Sequence, residues 1–152
     1  MRIADFLHEQ RIIPELKSND KKGIIEELSR AVADTTGAAV RDIAKVLLER
    51  EQLGSTGIGG GIAIPHGKLK SIDSIIMAVG LKSEGVEYDS LDNKPVYIFF
   101  LLLTPENSTG GHLKVLAQIS KLLKSSSFKN NLKKAQTSRE VMEVILAVDE
   151  NF

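Results

Sequence analysis

A chain of 152 residues is the size of one domain, and 42% hydrophobic with 26% charged residues is typical of a folded protein. Twenty basic and twenty acidic residues leave no net charge, which argues against binding nucleic acid through its phosphates. The absence of cysteine excludes disulfides, thiolate catalysis and cysteine-based zinc sites. No apolar signal core opens the chain, and its longest apolar run is too short to cross a bilayer, so we expect a cytoplasmic protein without membrane insertion.

Two amphipathic helices are predicted in the first third of the chain. The first follows the polar residues 18–20, has apolar residues at helical spacing over 24–32, and ends at Gly37, which suits a left-handed stop. The second covers the apolar positions of 40–47 and ends in a charged run. Arg50 is therefore expected close to the carboxyl end of the second helix.

Three short apolar runs predict β-strands, at residues 62–64, 75–81 and 96–103. The last run, VYIFFLLL, is apolar on both faces, as expected for a central strand that is covered on both sides. The polar residues 92–95 supply a turn before it.

Two more helices are predicted after the strands. Apolar residues over 113–123 indicate one, with His112 in or before its first turn. Thr137 and Glu140 have the spacing of a capping box, and apolar residues over 141–148 continue along one face. Helices alternating with short apolar strands predict an α/β fold, as a single domain over residues 1–152.

The segment GSTGIGGGIAIPHGK, residues 54–68, contains six glycines in fifteen residues. A nucleotide-binding P-loop is excluded because five residues separate Gly61 from Gly67, and Leu69 stands where serine or threonine is required. A dinucleotide fingerprint is excluded because Ile62 occupies the place of its last glycine. A loop that presents backbone amides to a histidine remains.

His66 has the chemistry of a phosphoryl acceptor. A neutral imidazole is a nucleophile at one nitrogen, while the other stays protonated and needs an acceptor to set the tautomer. Gly59, Gly60 and Gly61 permit close approach of backbone N–H groups to an anion. A plain loop histidine beside a turn that solves backbone geometry is the open alternative.

Other polar residues extend this hypothesis. Ser55 and Thr56 offer hydroxyls, and Arg50 offers a balancing positive charge. His112 at a helix amino terminus is suited to a neutral imidazole that donates an N–H to phosphate. A solvated charge at a helix end is the alternative for Arg50, and a loop histidine without a function is the alternative for His112.

The run EQLGSTGIGGGIAIPHG, residues 51–67, closely resembles the phosphorylation-site signature of fructose and mannitol class IIA proteins of the bacterial phosphoenolpyruvate-dependent sugar phosphotransferase system. Its centre is most similar to the nitrogen-regulatory branch, a stand-alone cytoplasmic IIA domain that works in regulation. Other segments also resemble elements of this family, namely IADFLHEQRIIPELKSNDKKGIIEELSR, LLERE, VYIFFLLLTP and HLKVLAQISKLL.

This resemblance implies roles for individual residues. His66 matches the phosphorylated histidine, His112 the second active-site histidine and Arg50 an active-site arginine, while Ser55 and Thr56 fall where family hydroxyls line the pocket. The implied fold is a mixed β-sheet flanked by helices on both faces. No metal or other cofactor is implied.

Three functions follow as expectations. The first is a phosphocarrier and regulatory IIA component, a phosphotransferase in which His66 takes phosphate from a histidine-phosphocarrier protein charged by enzyme I. Regulatory target proteins would then read its phosphorylation state. The second is a sugar-uptake IIA component that passes the phosphate to a separate IIB protein. The third, of another class, is a non-catalytic interaction module.

Overall fold

The computed structural model describes residues 2–108 and 110–149, without the side chains of residues 111, 112 and 149. Two short 3₁₀ helices, Ile3–Asp5 and Glu9–Arg11, precede the first strand. The remaining elements are β1 (Ile12–Ile13), α1 (Lys21–Thr36), α2 (Val40–Gln52), β2 (Gly57–Gly59), β3 (Ile62–Ala63), β4 (His66–Leu69), β5 (Ile76–Val86), β6 (Val96–Pro105), α3 (Gly111–Leu122), α4 (Ser126–Lys134) and α5 (Ser138–Asp149).

The strands form one mixed sheet in the order β1-β5-β6-β3-β2, and β4 also pairs with β6, beyond the end of β3. β5 and β6 are antiparallel at the centre, whereas β3 and β4 run parallel to β6 along its other side. The strand that is apolar on both faces is therefore central, as predicted, because its side chains are covered from both sides.

Helices cover both faces of this sheet. Alternate residues of β6 point to opposite sides, so Phe100 and Leu102 pack with α3, α4 and α5, whereas Phe99 and Leu101 pack with α1 and α2. The predicted α/β architecture, a mixed sheet with helices on both faces, is confirmed. None of the helices within the described ranges is long and apolar enough to cross a membrane.

The predicted helix ends correspond to specific hydrogen bonds. At the start of α1, the carboxylate of Asp20 accepts a hydrogen bond from the backbone N–H of Gly23 at 2.8 Å. The helix ends at Gly37, whose φ of 79° is left-handed. At α5, Thr137 Oγ1 accepts from the backbone N–H of Glu140 at 3.1 Å, which is half of the predicted capping box.

Candidate phosphoryl-transfer site

A glycine lets α2 approach β4 closely. A Cβ built on Gly67 would lie 2.5 Å from Cγ1 of Val46, well inside van der Waals contact. Arg50 follows Val46 by four residues and therefore lies on the same side of the helix. The packing of α2 on β4 thus brings Arg50 to the strand that begins with His66.

A cavity of about 720 Å³ lies between the end of α2 and the adjoining parts of β4 and β6. Its wall includes Val46, Glu49, Arg50, His66, Lys68 and Thr104. Two of the residues singled out from the sequence, Arg50 and His66, are therefore brought together. Both side chains are half-buried, so they are held by the protein and still accessible from solvent.

The orientation of the His66 ring is set by a backbone carbonyl. Its Nδ1 lies 2.8 Å from the carbonyl oxygen of Ile64. Because a carbonyl oxygen can only accept, Nδ1 carries the proton. In the neutral ring the nucleophilic lone pair is then on Nε2.

The Ile64 carbonyl is itself held by the loop that follows α2. The backbone N–H of Ile64 donates to the carbonyl oxygen of Thr56 at 3.0 Å. The backbone N–H of Thr56 donates to Glu51 Oε1 at 3.1 Å, and its hydroxyl donates to the second carboxylate oxygen of Glu51. The end of α2 therefore holds, through Glu51 and Thr56, the segment whose carbonyl orients His66.

Glu51 is a buried carboxylate, with 8% of its surface exposed. Lys21 compensates its charge through an Nζ to Oε1 distance of 2.8 Å, so the start of α1 is tied to the end of α2. The phenol oxygen of the fully buried Tyr88 lies 3.3 Å from Thr56 Oγ1. Burial, and secondarily the charge of Glu51, raises the pKa of Tyr88, so its phenol stays protonated at neutral pH.

Ser55 and Thr56 lie in this loop and not on the described wall of the cavity. Ser55 Oγ donates to the carbonyl oxygen of Tyr88 at 3.1 Å and accepts from the backbone N–H of Gly57 at 3.1 Å. The Thr56 hydroxyl donates a hydrogen bond to the carboxylate of Glu51. Both hydroxyls thus have structural partners in this state of the protein.

Gly59, Gly60 and Gly61 form the tight turn between β2 and β3, with φ values of 96°, 68° and 81°. Only glycine adopts this left-handed backbone readily, so the conformation of the turn accounts for glycine at all three positions. The backbone N–H of Gly60 donates to Oδ2 of Asp92 at 3.1 Å, and its carbonyl oxygen accepts from Nζ of Lys129 at 3.3 Å.

The structure separates this turn from the imidazole. Ile62, next to the turn, pairs with Ile98 of β6, whereas His66 pairs with Leu102. Four residues of strand place these pairs roughly 13 Å apart. The expectation that the glycine amides lie close to His66 therefore does not match their positions, because β3 leads the chain away from the turn before β4 begins.

Arg50 donates from Nη1 to the carbonyl oxygen of Gly54 at 2.8 Å. A guanidinium has five N–H donors in a planar fork, so this bond leaves donors for an anion in the cavity. His112 lies in the first turn of α3, as predicted. Its side chain is outside the described part of the structure, so the contacts predicted for it stay predictions.

Several residues at the site were missed by sequence reasoning. Tyr88 and Thr104 carry no motif, and Lys68 is only the last residue of the glycine-rich segment. Glu51 was recognised as the first position of the signature, but a polar residue at a helix end gave no sign that it would be buried. Their proximity depends on strand pairing and helix packing over long separations in the chain.

Comparison with known proteins relates this chain to a family. The profile described as "Phosphoenolpyruvate-dependent sugar phosphotransferase system, EIIA 2" matches residues 5–148. The nitrogen regulatory protein of Bradyrhizobium diazoefficiens is 37% identical over 145 residues, which cover 95% of this chain and 95% of that protein. The fructose-specific EIIA component of Haloferax volcanii is 34% identical over 131 residues, 86% of this chain and 85% of that protein.

A solved structure shows the same fold. The crystal structure of the nitrogen regulatory protein IIA-Ntr from Neisseria meningitidis aligns with a TM-score of 0.88 at 33% identity. The alignment covers 94% of this chain and 98% of that one.

Proposed function

Since the chain belongs to the EIIA 2 family of the phosphoenolpyruvate-dependent sugar phosphotransferase system, we propose that it is a phosphocarrier that accepts a phosphoryl group on His66. Family membership confirms the resemblance drawn from residues 51–67. The observation that carries the proposal is the bond from His66 Nδ1 to the Ile64 carbonyl, because it leaves Nε2 as the nucleophile in a cavity that also contains Arg50.

The proposed step is a transfer between two imidazoles. Nε2 of His66 attacks the phosphorus of a phosphohistidine on a histidine-phosphocarrier protein, and a new P–N bond forms. The P–N bond of the donor breaks, and its electron pair returns to the donor ring. The proton on Nδ1 of His66 stays in place, held by the Ile64 carbonyl.

The charges around the cavity suit this chemistry. Arg50 and Lys68 oppose the single carboxylate of Glu49 on the described wall. A phosphorylated side chain brings a charge of about −1.5 to −2, and cations nearby stabilise it. The guanidinium of Arg50 is especially suited, because its planar fork matches the geometry of phosphate.

The remaining predicted residues are assigned as follows. His112 supplies a second hydrogen bond to the phosphoryl group, which is supported by its place in the first turn of α3. A contact of Ser55 and Thr56 to the phosphate stays a prediction. It requires each hydroxyl to exchange its present hydrogen-bond partner for a phosphate oxygen. The same contact from Gly59, Gly60 and Gly61 stays a prediction, and the separation of their turn from β4 weighs against it.

We propose a regulatory role in the cytoplasm, in which partner proteins distinguish the two phosphorylation states by charge. The 37% identity to a nitrogen regulatory protein and the likeness to IIA-Ntr support this role. The second candidate is sugar uptake, supported by the fructose-specific EIIA relative at 34% identity. Transfer of phosphate from this chain to a IIB protein would support the second candidate over the first.

The acceptor is tested by incubation with phosphoenolpyruvate, enzyme I and the carrier protein, followed by mass analysis in alkali, which preserves phosphohistidine. We expect one phosphoryl addition, which His66→Ala abolishes. His8→Ala is the matched control, because His8 is exposed in the amino-terminal segment and should label normally. Full labelling of His66→Ala would exclude the assignment, and no labelling of the unchanged protein would favour an interaction module.

Arg50 is tested in the same assay. Arg50→Ala should slow uptake of the phosphoryl group by roughly tenfold or more, because a hydrogen bond to a charged group contributes about 1.5–3 kcal/mol. Arg41→Ala, an exposed arginine near the start of α2, should transfer normally. Equal rates in the two variants would make Arg50 a surface charge only.

A further inference from the structure

Thr104 of β6 has a buried hydroxyl without a hydrogen-bond partner in the described part of the chain. Only 2% of the residue is exposed, and no group of the described residues forms a hydrogen bond with Oγ1. Burying a hydroxyl without such a bond costs free energy, so buried polar groups are nearly always paired. Thr104 also lies on the wall of the cavity that contains His66, which suggests a partner that arrives with function.

The sheet register places Thr104 beside the proposed acceptor. His66 pairs with Leu102, and Lys68 pairs with Thr104, in the parallel ladder between β4 and β6. Residues two apart on a strand point to the same face, and so do paired residues on neighbouring strands. Thr104 is therefore the diagonal neighbour of His66, and such neighbours are roughly 7–8 Å apart, with their Cβ atoms somewhat closer. A phosphoryl group on the imidazole extends into part of that gap.

We propose that the Thr104 hydroxyl binds the phosphoryl group, donating a hydrogen bond to one of its oxygens when His66 is phosphorylated. This inference rests on the proposed function. A threonine suits the task chemically, because its hydroxyl is a neutral donor that does not act as a base at neutral pH. It stabilises the added charge without activating water against the labile P–N bond.

The proposal predicts that removal of the Thr104 hydroxyl slows phosphoryl transfer without lowering the stability of the unphosphorylated protein. Thr104→Val keeps the shape of the side chain and removes the hydroxyl. Because that hydroxyl has no hydrogen-bond partner among the described residues, the unphosphorylated variant should be at least as stable as the unchanged protein. Transfer to His66 should slow by roughly tenfold or more, since a hydrogen bond to a charged acceptor is lost.

The experiment compares Thr104→Val with Thr104→Ser, which keeps the hydroxyl. Two quantities are measured on the full chain, namely the Tm of the unphosphorylated protein and the rate of phosphoryl uptake at saturating phosphorylated carrier. The phosphorus NMR shift of the phosphohistidine is the spectroscopic readout. Thr104→Val should lower the rate, keep or raise the Tm, and change the shift. Thr104→Ser should restore both the rate and the shift.

A matched control removes another buried hydroxyl. Ser29 is fully buried in α1 and donates to the carbonyl oxygen of Ile25, away from the cavity wall. Ser29→Ala should leave the transfer rate unchanged. This control separates loss of a phosphoryl contact from loss of a buried hydroxyl in general.

Two results would overturn the inference. Transfer by Thr104→Val at the normal rate would show that the hydroxyl does not contact the phosphoryl group. A lower Tm of the unphosphorylated Thr104→Val would show that the hydroxyl already serves the resting structure. Either result leaves the proposed function intact if His66→Ala still abolishes labelling, so the two failures are distinguishable.

Discussion

Gly67→Ala tests whether the contact between α2 and β4 positions the site. The added Cβ would lie 2.5 Å from Cγ1 of Val46, whereas ordinary contacts are 3.4–4 Å. The φ of Gly67 is not left-handed, so the change adds crowding without left-handed backbone strain. Val46 cannot relieve it easily, because a β-branched side chain in a helix has one strongly preferred rotamer. Restoring an ordinary contact requires a shift of about 1 Å, from 2.5 to at least 3.4 Å, and we expect helix α2 to supply it.

Overpacking of this kind costs about 1–3 kcal/mol. For a protein of this size, the Tm should fall by roughly 2–12 °C. Because Arg50 is on the displaced side of α2, phosphoryl uptake by His66 should also slow. Calorimetry gives the first quantity, and the labelling assay with phosphorylated carrier gives the second.

Two further variants make this prediction specific. Val46→Ala removes the clashing methyl, so the double variant should recover stability relative to the sum of the single changes, with a coupling of about 0.5–3 kcal/mol. Gly80→Ala crowds Leu16 at 2.8 Å under α1, and should lower the Tm while leaving phosphoryl uptake normal. A Gly67→Ala protein with unchanged Tm and no coupling to Val46 would refute the reasoning.

Three other predictions concern groups around the site. Glu51→Gln should destabilise the protein by about 3–5 kcal/mol in urea unfolding, because a buried ion pair loses one charge. In a Tyr97→Phe background, absorbance should show that Tyr88 forms phenolate only when the protein unfolds. Because the folded pKa of Tyr88 is raised, its contribution to stability is complete below about pH 10 and is lost above that. Hydrogen bonds from the backbone N–H groups of Lys94 and Gly60 lower the pKa of Asp92, so Asp92→Asn should remove a contribution that is complete above about pH 4 and lost as the pH falls further.

Each of these has a result that would contradict it. Glu51→Gln should be compared with Glu49→Gln, which changes an exposed carboxylate on the same helix, and equal stabilities would exclude the buried network. Phenolate formation by Tyr88 in the folded protein near pH 10 would contradict its burial. An Asp92→Asn variant with an unchanged acid unfolding profile would show that the carboxylate does not support the glycine turn.

Local patterns were sufficient to predict most of the framework. Apolar periodicity and the polar start at Asp20 located α1, and Gly37 located its end. β6 was predicted to be central because both of its faces are apolar, and both are buried. These features depend on neighbours in the chain, which makes them readable without the fold.

Elements with little local signal were missed. β4 has one buried residue, Leu69, and forms because β6 offers it a parallel partner. β1 is only two residues long. α4 is largely polar, and its two buried apolar residues, Phe128 and Leu132, are too few to establish a helical period.

Sequence patterns were enough to indicate the family, the order of the main helices and strands, and the prediction that His66 and Arg50 act together. The tertiary structure, in contrast, places the glycine turn away from the imidazole and brings Glu51 and Thr56 to the segment whose carbonyl orients it. It also decided that Thr104 faces the same cavity. Sequence patterns report the period of an element, whereas a site depends on register and on close packing between segments that are distant in the chain.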